Sequence, residues 1–344
     1  MSASAQMTPP GDLVERGVYF YLHDKPFSPE YFHFASATLA EGLKALGIPV
    51  YSNIEDPLFD KLEKRNIALP LFVFNVSEPI YSPALMDTIA AQTAPQKVIV
   101  SVADSVSRFF TPPGIPALMA HANRFYHIKQ GLRYPWGIGI NRRRIAATAN
   151  GRPFAERENK LLCNFTPSHL QDVRRVLQLA LIPHLEKYFT IDYTLSSSHN
   201  EKLRSYQGCL AYGGFFFEDL STSHLTKEPS IKELLEKVEM RQKVVTLRWD
   251  SWRFWESLCA GCLTFNLDLE AYGLDLPAMP TPWVHYIPIS LSDPKGTVER
   301  LMDCRAQWGE IAEQGKVWAL AHYRPEAVAQ RLIDLVASNP WNVN

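Results

Sequence analysis

Short apolar runs alternate with amphipathic stretches along the first half of the chain. Apolar runs bounded by turn residues predict buried strands, whereas apolar positions that recur every three to four residues predict helices. This pattern predicts strands at 17–22, 48–52, 69–76, 97–102 and 125–128, and helices at 31–46, 83–92 and 116–124. A strand–helix–strand alternation with buried strands is typical of a parallel sheet that is covered by helices. The first half is therefore predicted to be Rossmann-like.

The alternation stops at about residue 131 and resumes at about residue 158. The intervening segment is rich in Gly, Pro, Arg and Asn, which predicts a connection between domains. Beyond it we expect strands at 160–165, 208–212, 244–247, 262–266 and 284–289, and helices at 167–188, 230–241, 297–315 and 325–337. A chain of 344 residues also exceeds what one hydrophobic core usually serves. The predicted fold class is α/β, with two Rossmann-like domains, 1–155 and 156–344, that face a central cleft.

Composition excludes several classes of protein. The 35 basic and 36 acidic residues give a formal net charge of −1, and no basic stripe suggests a nucleic-acid partner. No apolar window reaches the length of a membrane span, and the N-terminus lacks the pattern of a secretory signal. We therefore expect a cytoplasmic protein without a transmembrane segment, for which peripheral membrane contact stays open. The odd number of cysteines favours reduced thiols, and Cys259-Ala-Gly-Cys262 lacks the second pair of a zinc site.

Candidate chemistry concentrates between Arg248 and Cys262, where the chain reads Arg-Trp-Asp-Ser-Trp-Arg-Phe-Trp-Glu-Ser-Leu-Cys-Ala-Gly-Cys. On a helix, Arg253 and Glu256 share a face, and Ser251 stands at the expected N-cap. A guanidinium and the amides of a first helical turn suit a diphosphate, and a carboxylate can accept hydrogen bonds from ribose hydroxyls. The alternative is an ordinary ion pair on the solvated face of a helix.

The segment Arg253-x-x-Glu256-Ser-Leu-Cys-Ala-Gly-Cys-Leu-Thr-Phe resembles the R-x-x-E-A-L-x-x-G-C-x-P signature of exostosin-like glycosyltransferases, and of GT-B enzymes more broadly. Residues 161–165, 201–213 and 285–288 are similar, in the same order, to other segments of the family's C-terminal domain. Thr264 departs from the pattern, because many GT-B enzymes carry a second acidic residue there. The resemblance implies that the second domain binds a nucleotide-diphosphate sugar. The implied donor-binding residues are Asn164, Arg204, Tyr212, Ser251, Arg253, Glu256 and His285.

The first domain would then bind the acceptor. An inverting transfer needs a general base at the acceptor hydroxyl, and His23, Asp24 and Asp104 follow predicted strands at the carboxyl end of the sheet. These three are the catalytic candidates, and Glu78 is placed similarly. The chain contains no Asp-x-Asp motif, so we expect no metal and no other cofactor. Arg253 and the helix dipole would stabilise the leaving diphosphate instead.

The predicted function is glycosyl transfer in carbohydrate biosynthesis, with a hexosyl or related sugar moving from a nucleotide sugar to a hydroxyl of a glycan or other acceptor. Two alternatives remain open. One is a sugar-nucleotide epimerase of the same architecture. The other is a non-catalytic two-domain protein that binds a nucleotide or a sugar.

Overall fold

The computed structural model describes residues 11–22, 34–53, 71–77, 96–102, 115–124, 132–165, 172–194, 198–217, 245–247 and 249–338. The strands among them are β1 Val18–Tyr21, β2 Val50–Ser52, β3 Leu71–Ser77, β4 Gln96–Val102, β5 Ala117–Met119, β6 Arg133–Pro135, β7 Glu158–Leu162, β8 Thr190–Asp192, β9 Tyr206–Leu210, β10 Phe215–Phe217, β11 Val245–Leu247, β12 Leu263–Leu267 and β13 Ile287–Ile289. The helices are α1 Gly11–Arg16, α2 Phe34–Ala45, α3 Arg142–Thr148, α4 Asp172–Ala180, α5 Ile182–Leu185, α6 His199–Ser205, α7 Trp252–Cys259, α8 Pro294–Asp303, α9 Trp308–Tyr323 and α10 Pro325–Ser338.

The chain folds into two compact units. The first comprises Met1–Ala120, Gln130–Arg142 and His322–Asn344, and the second comprises His121–Lys129 and Arg143–Ala321. This division differs from a single boundary after residue 155, because the end of the chain returns to the first unit.

A parallel sheet of order β2-β1-β3-β4-β5-β6 forms the centre of the first unit. Val18, Tyr19 and Phe20 of β1 are almost fully buried, as expected where helices cover both faces. The C-terminal α10 packs against α2 in this unit. Gly42 permits that close approach, since a Cβ there would collide with the carbonyl of Pro325.

The second unit is built on a parallel sheet of order β13-β12-β9-β7-β8, beside an antiparallel pair of β10 and β11. In both parallel sheets the first strand lies between the second and the third, and the fourth and fifth follow. That order is one of the two common doubly wound arrangements. The prediction of two Rossmann-like sheets is therefore confirmed.

Several predicted elements differ from the structure. The helix expected at 116–124 is wrong: Ala117, Leu118 and Met119 form the buried strand β5, paired with β4. A short apolar run fits a buried strand or a buried helix equally well, so its pattern did not discriminate between them. The expected connection at 131–158 contains β6 and α3. The expected elements at 83–92, 125–128 and 230–241 lie outside the described residues.

The cysteines are thiols in sites that keep them protonated. All five are free, and burial raises the pKa of Cys262 to about 11, although the neighbouring Arg157 partly opposes the rise. Burial also raises the pKa of Cys259, at the end of α7. Reactive cysteines have lowered pKa values, so this pair is part of the packing.

Within the described part of the chain, no cluster of His, Cys, Asp and Glu side chains could hold a metal ion. No described helix combines the length and the apolar character that a membrane crossing requires.

Candidate functional site

Helix α7 starts beside the carboxyl ends of β7 and β9. The Ser251 hydroxyl donates to the carbonyl of Ala211, directly after β9, at 3.0 Å. Arg253 Nε donates to the carbonyl of Asn164, two residues after β7, at 2.6 Å. Ligands of parallel α/β sheets bind at this edge. Ser251 occupies the N-cap position, but the expected capping hydrogen bond from the helix to its side chain is not formed.

Two guanidinium groups meet on one aromatic ring at this edge. The Cζ atoms of Arg174 and Arg253 lie 4.4 Å and 5.9 Å from the ring centroid of Phe165. Arg174 Nε also donates to the carbonyl of Tyr212 at 3.3 Å. Two positive charges near the start of a helix favour an anion such as a diphosphate. Arg174 was not among the predicted donor residues, although its place near the start of the helix after β7 was a usable signal.

Glu256 is enclosed by partners from distant parts of the chain. Its side chain is 6% exposed, and its Oε1 lies 2.9 Å from Arg144 Nη1. Its Oε2 lies 2.8 Å from Nε2 of His199, the first residue of α6. Among the described residues, Arg253 and Glu256 form no ion pair with each other. The solvated helix pair considered as the alternative is therefore wrong, because each of the two residues binds a different segment.

His199 also contacts the predicted donor residue Asn164, because its Nδ1 lies 2.7 Å from Asn164 Nδ2. Asn164, His199, Glu256 and Arg144 thus form a continuous polar chain beside the first turns of α7. The sequence did not single out His199, and it marked Arg144 only as part of a basic cluster, 142–144, that could be a solvated loop or could meet phosphates or an acidic acceptor. Arg144 lies in the segment interpreted as a connection between domains, and no local pattern links it to α7.

The structure separates Arg204 and His285 from Arg253. Arg204 lies in the last turn of α6, immediately before β9, and His285 lies two residues before β13. Both are therefore at the amino ends of their strands, opposite to the start of α7. His285 Nδ1 accepts a hydrogen bond from the Thr281 amide at 2.7 Å, and its ring stacks on Trp318 at 5.7 Å.

Tyr212 lies at the carboxyl edge but faces inward. It is fully buried, and its ring packs edge-on against Phe165 at 5.2 Å. Burial raises the pKa of its phenol well above the usual value. Within the described part of the chain its hydroxyl has no hydrogen-bond partner. Tyr212 thus supports the ring on which the two arginines lie.

His121 holds the turn before α7. It has a left-handed backbone with φ 60°, is 4% exposed, and accepts a hydrogen bond from the Asp250 amide on Nδ1 at 3.1 Å. Asp250 Oδ1 in turn accepts from Trp255 Nε1 at 2.6 Å. Trp249 and Trp255 are completely buried, so these two tryptophans belong to the core.

The candidate bases His23, Asp24 and Asp104 lie outside the described residues, as does Glu78. The structure therefore leaves them as predictions.

No protein-family model and no curated protein matches this sequence. Solved structures match it over most of their length. HepE from Anabaena, solved with UDP and glucose, has 10% sequence identity and a TM-score of 0.51, over 93% of this chain and 99% of that chain. A glycosyltransferase from Rickettsia africae has 9% identity and a TM-score of 0.53, over 93% and 97%. An alpha-glucosyltransferase solved with UDP has 9% identity and a TM-score of 0.52, over 93% and 99%. The chain therefore has the GT-B fold of these glycosyltransferases, with two Rossmann-like units.

Proposed function

We propose that this protein is a glycosyltransferase that moves a sugar from a nucleotide-diphosphate donor to a hydroxyl group of an acceptor. The observation that carries the proposal is the pair Arg174 and Arg253, which converge on Phe165 at the carboxyl edge of the second sheet. Structures with the same fold that were solved with UDP support a nucleotide diphosphate as the ligand. The exostosin-like resemblance of the sequence around Arg253 supports the same donor class.

The arginines have a definite task in this reaction. When the bond between the anomeric carbon and the diphosphate breaks, its electron pair leaves with the diphosphate. Guanidinium groups that are already in place stabilise this developing charge without reorganising. The amino terminus of α7 adds its dipole, and Ser251 does not cap it. These groups can supply the stabilisation that a metal provides in other transferases, so we propose transfer without a metal.

Glu256 was expected to contact the ribose directly, but its surroundings favour a different role. Its two oxygens are engaged by Arg144 and His199, and little of the side chain is exposed. A ribose hydroxyl would have to share a carboxylate that already has two partners. The neighbouring Asn164 is more accessible. We therefore assign the direct donor contact to Arg253, Arg174 and Asn164.

Calorimetric titration of the whole chain with UDP, GDP, ADP, CDP and TDP tests the donor site. We expect at least one of them to bind, and we expect Arg253→Met to weaken that binding about tenfold to a hundredfold, the usual effect of losing a charge-assisted hydrogen bond. Arg305→Met is the matched control, because Arg305 is exposed and stacks on Trp308. Binding that is unchanged in Arg253→Met, or no binding of any diphosphate, would contradict the proposal.

Turnover separates transfer from the two alternatives. Incubation with the nucleotide sugar and a panel of glycan acceptors should release the nucleotide and yield a glycosylated acceptor. An epimerised nucleotide sugar as the sole product would indicate an epimerase. Tight binding without any product would indicate a binding protein.

A further inference from the structure

Helix α7 holds Asn164 from two directions. Arg253 Nε donates to the main-chain carbonyl of Asn164 at 2.6 Å. Glu256, one turn further along the same helix, reaches the side chain of Asn164 through His199. The two steps measure 2.8 Å from Glu256 Oε2 to His199 Nε2 and 2.7 Å from His199 Nδ1 to Asn164 Nδ2.

The chemistry of the three groups determines where the protons lie. An amide nitrogen is only a donor, so Asn164 Nδ2 donates and His199 Nδ1 accepts. A neutral imidazole that accepts on Nδ1 carries its proton on Nε2, and donates that proton to Glu256. The carboxylate also pairs with Arg144 at 2.9 Å. His199 is therefore held in one tautomer and one orientation by a buried carboxylate that is itself fixed.

This arrangement leaves the other end of the Asn164 amide available. Asn164 is partly exposed at the carboxyl edge of the sheet. Its Oδ1 makes no hydrogen bond to any described residue, whereas its Nδ2 is held by His199. If the imidazole were reversed in tautomer, the amide would have to turn over, because two N–H groups cannot share a hydrogen bond. The tautomer of His199 thus determines whether Asn164 presents Oδ1 or Nδ2 at the carboxyl edge of the sheet.

We propose that Glu256 acts on donor binding through His199, a positioning residue whose Nε2–H tautomer orients the Asn164 amide toward a nucleoside diphosphate. The inference rests on the proposed function and adds a residue to the same site. The two charged side chains of the Arg-x-x-Glu segment of α7 thus both position Asn164, which follows β7. Arg253 holds the main-chain carbonyl of Asn164, and Glu256 holds the side chain of Asn164 through His199.

Two substitutions of His199 separate its two hydrogen bonds. His199→Gln keeps a donor near Glu256 but has no acceptor at the position of Nδ1 for Asn164. His199→Asn keeps that acceptor but has no donor that reaches Glu256. We expect His199→Gln and Asn164→Ala each to weaken UDP binding about tenfold, which corresponds to one hydrogen bond. The double variant should bind UDP no more weakly than Asn164→Ala alone, because the two residues act as one unit. His184→Gln, in α5 of the same unit, is the control and should bind as the wild type does.

The orientation of the Asn164 amide can also be tested without a ligand, from the tautomer of His199. Nitrogen-15 NMR should find His199, assigned by the signal that is lost in His199→Gln, as the Nε2–H tautomer. A proton on Nδ1, in the neutral or in the charged ring, would overturn the inference, and so would UDP binding that is unchanged in His199→Gln or effects that add in the double variant. If the wild type bound no nucleoside diphosphate, the proposed function would fail. The tautomer would still decide whether His199 orients Asn164, because that measurement needs no ligand.

Discussion

Glu256 Oε2 lies 2.8 Å from Nε2 of His199, which is 57 residues away in the chain. This pair gives a different role to Glu256 of the Arg253-x-x-Glu256 motif, the most distinctive motif in the sequence. A carboxylate expected to face a ligand instead holds a neighbouring imidazole, and Arg144 takes its other oxygen. Several consequences can be measured.

Replacing Glu256 should reduce stability as well as donor binding. Glu256→Ala leaves His199 and the partly buried Arg144 without this partner, and we expect the free energy of unfolding to fall by about 1–3 kcal/mol. Glu256→Gln, which keeps the shape and loses the charge, should cost less. Urea denaturation followed by circular dichroism measures both.

The control for this experiment is Glu299→Ala. Glu299 pairs with Lys295 at 3.0 Å on the surface, where solvent screens the two charges and the pair contributes little to stability. Equal stability losses in the two alanine variants would contradict the role of Glu256 as an internal anchor.

Removing Arg174 should weaken diphosphate binding in a salt-dependent way. Because exposed charges are screened by salt, the difference in UDP affinity between the wild type and Arg174→Met should shrink from 50 mM to 500 mM added salt. Arg300→Met is a close control, because the Arg300 Cζ also lies 4.4 Å from an aromatic ring centroid, that of Trp283. A loss of affinity in both variants would indicate a general charge effect.

Asp192 should stabilise the fold at neutral pH and lose that effect in acid. Partial burial alone would raise the pKa of its carboxyl, but hydrogen bonds from Lys202, Thr194 and Tyr206 outweigh it and hold the pKa well below the usual value. A carboxyl whose pKa is lower in the folded state stabilises it above the unfolded pKa of about 3.9. That contribution disappears as the pH falls from there through the folded pKa.

The measurement compares the unfolding free energies of the wild type and Asp192→Asn between pH 7 and pH 2.5. We expect the wild type to be more stable at pH 7 and its advantage to shrink below about pH 4. A difference that is constant over this range would show that the charge of Asp192 is not responsible.

His121 should tolerate replacement only by a residue that can adopt its left-handed backbone conformation and can accept the hydrogen bond from the Asp250 amide. Asparagine adopts left-handed conformations readily and carries an acceptor, so His121→Asn should preserve stability to within about 1 kcal/mol. His121→Val combines a β-branched side chain at φ 60° with the loss of the acceptor for the Asp250 amide, and should cost about 2–4 kcal/mol. Thermal unfolding of the two variants gives the comparison.

If Arg174 and Arg253 stabilise the leaving diphosphate, chelation should not affect the transfer. We expect the initial rate of UDP release in the presence of an acceptor to be the same with and without EDTA. A rate that EDTA abolishes and Mg²⁺ restores would show that the arginines do not replace a metal.

The sequence by itself determined the fold class and the position of α7. A strand that is buried on both faces, such as β1 with Val-Tyr-Phe-Tyr, is recognisable in the sequence as an apolar run. Helical periodicity is a local property of segments such as Trp252–Cys259. The same local signals were insufficient at β5, where three buried residues are too few to show a period.

Only the tertiary structure decided which side chains meet. Asn164, Arg253 and Glu256 were identified from the sequence, but their partners His199 and Arg144 lie in segments whose local pattern does not link them to α7. Arg204 and His285 were expected beside them, yet they lie at the opposite ends of their strands. The physical reason is that proximity in a parallel sheet depends on which strands pair and on which end of each strand a residue lies. Those relationships arise from packing over the whole unit, and the order of residues around each position does not contain them.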